Sequence, residues 1–449
     1  MSVDTSPWRA STRRSLLSGA LAAAISGAVA ACGAESSRPL ASGPVTLSLW
    51  THDQGYQKFF AGGIAAADRT TPFHYRLRTM LAGPNDLVTK LLAQAVAGRG
   101  LPDLMGFERG SFPRMLRGDI APRLLSDLRP AVATVPGLID DLLTARTAPY
   151  TADGRLYALD SDTPLVVYHY RADLFARYGL PTDTTSWEEL ARIGEALHRR
   201  HGVSLGAVAT GSNPGQVVQI FQILLEQRGG TFFDARQRLV VDSPEAAEVL
   251  EFLCTGLRTG FLTSVDDFYG GPMQAALKGG RIIGLPMASW YKAVMLLPNL
   301  AEQSGRWRIR TPPRFASGGH ASTTVGGTGF GVLRGRSATK AATDFLMAAW
   351  LTRDAQLRRY RELGYLPTRR SVFADPSLRR STDAYFGGQR PFDVYTPLLA
   401  DIPSVHDSPD QTILSDVLGG YLLKAYRGAL SPREALRRTA EDFRNQAGR

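Results

Sequence analysis

The segment VTLSLW, residues 45–50, is the first part of the chain with a clear secondary-structure preference. Polar and apolar side chains alternate along it with a period of two, which predicts a strand with one buried face. The polar run THDQG, residues 51–55, ends this strand. Its side chains are therefore expected at the strand's carboxyl end.

A helix and a second strand follow this first strand. Leucines at 87, 91 and 92 share one side of a predicted helix that ends near Gly98. The segment PDLMGFE at 102–108 predicts a short strand whose last residue is the carboxylate Glu108. The strand–helix–strand order predicts an α/β fold with a mainly parallel sheet. Ligands bind such sheets at the carboxyl ends of the strands. We expect four side chains to point there: His52, Asp53, Gln54 and Glu108.

The middle and the end of the chain carry several helix signals. SWEE at 186–189 is a capping box, and Ser-Pro pairs at 243–244 and 431–432 are typical helix starts. Residues 338–363 are predicted to form one long helix. TTV at 323–325, within a stretch rich in Gly, Pro, Ser and Thr, predicts a strand.

The N-terminus has the pattern of an export signal. TRRSLL at 12–17 precedes a short run of small and apolar residues, 18–31, and then Cys32. The small residues before Cys32 resemble a bacterial lipobox, and the arginine pair resembles a twin-arginine signal. We expect 1–31 to be a signal peptide, exported by the twin-arginine or the general secretory route. Residues 32–44 are then a flexible tether, lipid-anchored at Cys32 to the outer face of the cell membrane. The alternative is an ordinary N-terminal helix with an incidental cysteine.

Length and composition narrow the protein class. A chain of 449 residues is too long for a single hydrophobic core and suits two lobes. A content of 44% hydrophobic and 21% charged residues is typical of a soluble globular protein. If Cys32 is acylated, Cys254 has no partner for an internal disulfide. The net charge of +11 comes from scattered basic residues, so we expect no nucleic-acid partner.

Sequence signatures of catalysis are weak. There is no phosphate-binding loop and no Gly-x-Ser-x-Gly nucleophile elbow, and GTGFG at 327–331 lacks the dinucleotide-binding spacing. The carboxylate pairs Asp160–Asp162 and Asp266–Asp267 would suit a glycosidase only if they faced each other across a cleft. We therefore expect a protein that is not an enzyme and that uses no cofactor or metal.

Two segments resemble a known family: YALDSDT at 157–163 and VVYHYRADLF at 166–175 are similar to a crossover segment of extracellular solute-binding proteins of carbohydrate ABC importers, the maltose-binding-protein-like lipoproteins. Further similar segments follow in the same order: SWEEL at 186–190, ALKGG at 276–280 leading to Ser289-Trp290, GGTG at 326–329, and GYLPTR at 364–369.

The resemblance implies a two-lobe, periplasmic-binding-protein-like α/β fold with discontinuous lobes and a hinge of crossover segments. The N-terminal lobe would comprise 45–156 and 310–365, and the C-terminal lobe 157–309 and 366–449. The solute would lie in the cleft between the lobes.

A carbohydrate needs aromatic faces for its C–H groups and ionised or planar polar groups for its hydroxyls. Trp290 is the expected stacking residue, with a core tryptophan as the alternative. Asp160 and Asp162 would accept solute hydroxyls, or else cap turns. Further expected ligand-binding residues are Gly326 and Gly327, which allow close backbone approach, together with Thr328, Tyr365 and Arg369; for Arg369 an exposed, unengaged side chain is the alternative.

The chain also departs from the family. Asp160 and Ser161 stand where proline and an aromatic residue are usual, and Thr328 stands where a tryptophan is common. These losses favour a site with less stacking surface.

The resulting hypothesis is a monomeric, lipid-anchored receptor that binds a mono- to oligosaccharide and delivers it to ABC permease subunits. One alternative is a binding protein for a phosphorylated or acidic solute, such as a glycerol phosphodiester or a uronic acid, held by Arg369 and helix N-termini. Less favoured are a secreted glycan hydrolase using Asp160 or Glu108, and a surface scaffold with an empty cleft.

Overall fold

The computed structural model describes residues 39–448. The predicted signal peptide, Cys32 and the first part of the tether lie outside the described residues. Within 39–448 we find no helix with the length and hydropathy needed to cross a bilayer.

In the described part of the chain the strands are distributed over four sheets of two to five strands. They are β1 Gly43–Thr51, β2 Phe73–Leu81, β3 Leu104–Glu108, β4 Thr151–Ala152, β5 Arg155–Leu156, β6 Leu159–Asp160, β7 Val166–Arg171, β8 Gly206–Ala209, β9 Leu262–Val265, β10 Gly284–Ala288, β11 Trp307–Arg310 and β12 Thr328–Val332.

The helices surround these sheets. Up to residue 201 they are α1 Gln54–Thr70, α2 Pro84–Ala97, α3 Ile120–Leu124, α4 Arg129–Ala133, α5 Leu138–Asp141, α6 Thr144–Thr147, α7 Ala172–Arg177 and α8 Trp187–His201. Beyond it they are α9 Pro214–Arg228, α10 Pro244–Thr259, α11 Gly271–Lys278, α12 Leu297–Asn299, α13 Thr339–Leu346, α14 Arg353–Leu363, α15 Arg370–Phe373, α16 Pro376–Arg379, α17 Phe392–Leu398, α18 Gln411–Tyr426 and α19 Pro432–Ala447.

The predicted strands at 45–50 and 102–108 are confirmed as β1 and β3, which pair in parallel. The sheet that contains them has the order β2-β1-β3-β12-β6, in which β12 runs antiparallel to both β3 and β6. The second main sheet, β10-β7-β11, is antiparallel throughout. The expectation of a mainly parallel sheet is met by β2, β1, β3 and β6, which run in the same direction, whereas β12 runs against them because the chain re-enters this sheet from the larger core.

The predicted helix starts are also confirmed. The Ser186, Ser243 and Ser431 side chains each accept a hydrogen bond from the backbone N–H three residues later, as N-caps do. The long helix predicted at 338–363 is interrupted. A π-helical turn at Met347–Leu351 is followed by Thr352, whose hydroxyl caps α14. This interruption places Trp350 fully inside the core, stacked on Phe60 at 4.6 Å between ring centroids.

The strand predicted at 323–325 is reduced to an isolated bridge between Thr324 and Leu165. The hydroxyls of this segment are used elsewhere: Thr323 donates to the Glu226 carboxylate, and Thr324 accepts from Arg146. Such side-chain bonds compete with a regular ladder.

Within residues 39–448 the buried hydrophobic side chains form two cores. The smaller core contains buried residues from 45–159 and 330–351, together with Tyr365. The larger core contains Leu143 and buried residues from 165–325 and from 357 onward, apart from Tyr365.

The chain therefore passes between the cores near 160–165 and near 325–330. The third connection extends from Leu351 to Leu366, since Leu357 packs in the larger core and Tyr365 in the smaller one. Of the segment 310–365, expected in the first lobe, the buried residues up to Val325 pack in the larger core. The exact lobe boundaries stay a prediction.

Candidate functional site

A cavity of about 990 Å³ lies where the two cores face each other. Its volume is at the upper end of the range of small-molecule sites, about 300–1,000 Å³. Apart from Asp160 and Arg369, the residues predicted for ligand binding all line it: His52, Asp53, Gln54, Glu108, Asp162, Trp290, Gly326, Gly327, Thr328 and Tyr365. The fold thus brings together residues that are more than 300 positions apart in the sequence.

The carboxyl end of β1 supplies one wall. Asp53 caps α1 by accepting the Gly55 N–H through Oδ1 at 2.7 Å, and its Oδ2 accepts the Tyr365 hydroxyl at 2.6 Å. Burial raises the pKa of Tyr365 far above neutrality, so this hydroxyl stays protonated and donates. Burial lowers the pKa of His52, with Asp53 opposing, and the imidazole is therefore neutral at pH 7. These contacts fix the direction of the Asp53 carboxylate.

A hydrogen-bonded chain holds the first crossover against this wall. The Tyr56 hydroxyl donates to Ser161 Oγ at 2.9 Å, and Ser161 Oγ donates to Asp162 Oδ1 at 2.7 Å. Burial raises the pKa of Asp162, whereas Arg146 and the Ser161 bond oppose the rise. Asp162 presents to the cavity an acceptor whose position is set by its neighbours.

A cluster of charges lies at the end of β3. Glu108 Oε2 accepts the Gly110 N–H at 2.7 Å, and burial raises the pKa of Glu108 to about 7. The next residue, Arg109, is buried and pairs through Nε with Asp407 Oδ2 at 3.3 Å. This ion pair joins a strand end of the smaller core to a loop that leads into α18.

The cavity lining contains more acidic than basic side chains. Among the described lining residues, Arg109 is the single lysine or arginine, and it is already paired. The acidic lining residues are Asp53, Glu108, Asp162, Asp407 and Asp416. Carboxylates accept hydrogen bonds strongly, so this lining suits a ligand rich in hydroxyl donors and repels an anion.

Trp290 forms an aromatic wall with Tyr269. The ring centroids are 6.3 Å apart with 31° between the planes, and Trp290 Nε1 donates to the Val325 carbonyl at 3.4 Å. Trp290 is only partly buried and packs against both cores. The alternative of a tryptophan enclosed in one core is wrong, and its indole is placed to contact a ligand.

Asp160 and Arg369 lie outside the cavity lining because their charges have other partners. The Asp160 carboxylate pairs with Arg146 at 2.7 Å, and both side chains are buried. Arg369 Nε pairs with Asp141 Oδ2 at 2.7 Å, and its Nη1 donates to the Leu351 carbonyl at 3.1 Å. Neither the hydroxyl-accepting role expected of Asp160 nor the anion-binding role expected of Arg369 fits this geometry, and Arg369 is not the unengaged side chain of the alternative either.

Several lining residues were not predicted from the sequence. They lie just after β3, at the N-cap of α9 and within that helix, in the loop before α11, and at the entry to α18. They include Arg109, Asn213, Gln219, Gln222, Tyr269, Asp407 and Gln411. Asn213-Pro214 is a helix-start signal that could have marked one of these positions, since Asn213 caps α9. Asp407 directly precedes the pair Ser408-Pro409 before α18, a helix-start signal that could have marked this loop as well.

Comparisons with known proteins agree with this architecture. Residues 70–384 match the family described as bacterial extracellular solute-binding protein. An arabinooligosaccharide-binding protein of Halalkalibacterium halodurans is 26% identical over 89% of this chain and 89% of its own length. A protein of the same name from Bacillus subtilis is 24% identical over 93% of this chain and 96% of its own length.

Solved structures show the same fold. The cyclic alpha-maltosyl-1,6-maltose binding protein from Arthrobacter globiformis superposes with a TM-score of 0.74 and 22% identity, over 90% of this chain and 98% of that one. The sugar-binding protein MalE from Xanthomonas citri superposes with a TM-score of 0.73 and 15% identity, over 89% and 96%. The fold is therefore the two-lobe α/β fold that the resemblance implied. On these grounds the chain belongs to the bacterial extracellular solute-binding proteins, a family that works outside the cytoplasm.

Proposed function

We propose that this protein is the lipid-anchored receptor of an ABC importer that binds a neutral oligosaccharide in the cavity between its lobes. The acidic lining beside the Trp290 wall carries the proposal, because sugar hydroxyls donate to carboxylates while sugar C–H faces contact aromatic rings. The two relatives named for arabinooligosaccharides make linear arabinooligosaccharides the first ligands to test.

Binding would close the two lobes on the solute. The crossovers near 160–165, near 325–330 and within 351–366 are the segments that join the cores, so they are where a hinge rotation would be absorbed. A ligand that touches both walls only in the closed state shifts the population toward closure. The closed receptor then delivers its sugar to the permease subunits, and no bond of the sugar is broken.

The acidic-solute alternative is disfavoured. It relied on Arg369 and helix N-termini. Arg369 is paired with Asp141 outside the cavity, and Arg109 is paired with Asp407, so only helix N-termini in an acidic lining remain to hold an anion. The hydrolase alternative relied on Asp160 or Glu108. Asp160 is enclosed with Arg146 outside the cavity lining, which removes one of these two carboxylates from contact with a ligand.

Titration calorimetry of the purified protein tests the proposal. We expect micromolar or tighter binding of arabinotriose or another neutral oligosaccharide, and no heat with glycerol phosphodiesters or uronic acids. Tighter binding of the anionic compounds, or no binding heat with any of a full set of neutral saccharides, would contradict the proposal. The anchor is tested separately: Cys32→Ser should release the protein from the cell membrane into the medium.

A further inference from the structure

Arg146 is a buried arginine behind the cavity, outside its lining. It lies in the short helix α6, and its side chain is 0% exposed. Its Nε pairs with Asp160 Oδ2 at 2.7 Å and is shared with the Asp162 carbonyl at 3.1 Å. Its Nη1 donates to Thr324 Oγ1 at 3.3 Å, and its Nη2 donates to the Gly326 carbonyl at 3.2 Å. One guanidinium therefore joins the first and second crossovers.

The segment that carries Arg146 is itself tied to the third crossover. The Leu143 N–H donates to the Thr368 carbonyl at 3.1 Å, and Leu142 forms a bridge with Arg369. Leu143 packs in the larger core although its neighbours in sequence belong to the smaller one. Arg146 is thus attached, through its backbone and its side chain, to all three connections between the lobes.

On the basis of the proposed function, we propose that Arg146 is a positioning residue: paired with Asp160, it fixes the backbone of both crossovers that line the ligand cavity. The residues it holds, Asp162 and Gly326, line the cavity, whereas Arg146 and Asp160 do not. Its effect on the ligand is therefore exerted through backbone position.

The ion pair explains why the guanidinium can be placed there. A buried cation without a partner is strongly disfavoured, and Asp160, whose side chain is 1% exposed, neutralises it. The hydrogen bonds to two carbonyls and a hydroxyl give each of the three guanidinium nitrogens a polar contact. Arginine is suited to this role because its planar fork reaches several acceptors at once, which a lysine ammonium does not.

Stability and positioning can be separated by a double variant. Arg146→Met alone leaves the buried Asp160 carboxylate without its cation, with only the Ser161 N–H still donating to it, so it lowers both stability and affinity. Arg146→Met combined with Asp160→Leu leaves no buried charge, and such apolar replacements of a buried pair are often neutral or stabilising. It nevertheless lacks the bonds to Asp162, Thr324 and Gly326. A purely structural pair predicts recovery of both properties in the double variant, whereas a positioning role predicts recovery of stability alone.

Arg171 provides a matched control. It is a buried arginine paired with Asp173 at 2.7 Å, at the far end of β7 from the first crossover and outside the cavity lining. Arg171→Met is expected to lower the melting temperature and to leave the dissociation constant for arabinotriose within twofold of the wild-type value.

The experiment measures melting temperature, arabinotriose affinity and backbone hydrogen exchange in the full-length protein and these variants. We expect the double variant to melt within a few degrees of wild type, to bind at least tenfold more weakly, and to exchange the amides of Ser161 and Thr328 faster. These amides lie in the two crossovers, where the Ser161 N–H donates to the Thr328 carbonyl at 2.7 Å.

A double variant that binds within twofold of wild type, with unchanged exchange at both amides, would overturn the positioning role. If Arg146→Met does not fold, the double variant carries the test. If wild type does not bind arabinotriose, the proposed ligand fails, while hydrogen exchange in the unliganded protein still decides the role of Arg146.

Discussion

Replacing Gly327 by alanine is expected to destabilise the protein far more than the same change at the adjacent Gly326. Both glycines have positive φ, +74° at Gly326 and +103° at Gly327, which disfavours a side chain at either position. Their surroundings differ. A Cβ on Gly326 would lie 3.7 Å from Trp290 Cζ2, an ordinary contact, whereas a Cβ on Gly327 would lie 2.2 Å from Arg146 Nη2.

The expected magnitudes follow from this geometry. At Gly326, left-handed backbone costs about 1–2 kcal/mol, offset by roughly 0.4–1 kcal/mol from the stiffer unfolded chain, so the net loss is about 1 kcal/mol. At Gly327, backbone strain of about 1–3 kcal/mol is joined by displacement of the Arg146 fork. Each lost hydrogen bond to a charged group contributes roughly 1.5–3 kcal/mol, giving a total loss of about 4 kcal/mol.

Urea unfolding of the two alanine variants beside wild type measures these losses. The ratio between the variants is the informative quantity, because both changes add the same methyl group to neighbouring positions. Equal losses, or a milder effect at Gly327, would refute the inference that close approach of the guanidinium requires glycine there.

Three further predictions concern ligand contact and pH. Trp290→Ala should weaken oligosaccharide binding about tenfold in calorimetry, because aromatic stacking contributes roughly 0.5–1.5 kcal/mol beyond buried area. Trp290→Phe should weaken binding less. An unchanged dissociation constant in Trp290→Ala would show that Trp290 does not stack on the sugar. Burial lowers the pKa of His169 to about 4. The neutral His169 should therefore contribute about 3 kcal/mol of stability that is lost as the pH falls from 6.5 to 4, measured in urea titrations as the change in the stability difference between wild type and His169→Gln. Burial raises the pKa of Glu108 to about 7, so it binds more protons folded than unfolded between pH 4.5 and 7. The contribution of Glu108 to stability should therefore fall as the pH rises through that range, and Glu108→Gln should lack this contribution; an identical pH slope in wild type and the variant would contradict the assigned pKa.

Local patterns predicted the elements whose cause is local. The alternation at 45–50 and the serine caps at 186, 243 and 431 correspond to β1, α8, α10 and α19, because period and capping act over a few residues. The prediction of one continuous helix at 338–363 was wrong because of tertiary packing. The π-helical turn and the Thr352 cap interrupt the helix and bring Trp350 into the aromatic core.

The candidate site was partly predictable for the same reason. His52, Asp53 and Glu108 follow strands, and strand ends meet at one edge of a sheet. The sequence could not predict that Asp162 lines the cavity and Asp160 does not. The two aspartates differ because Arg146 forms its ion pair with the Asp160 carboxylate. Asp407 reaches the cavity only because the C-terminal half folds back across the cleft, a long-range contact without a local pattern.

A crystal structure of the protein with the oligosaccharide identified by calorimetry tests the central claim most directly. We predict that the sugar lies in the cavity between the two lobes, with one face against Trp290 and its hydroxyls donating to carboxylates that include Asp162. A sugar bound elsewhere on the surface, or a cavity that instead holds an anion on Arg109, would contradict the account.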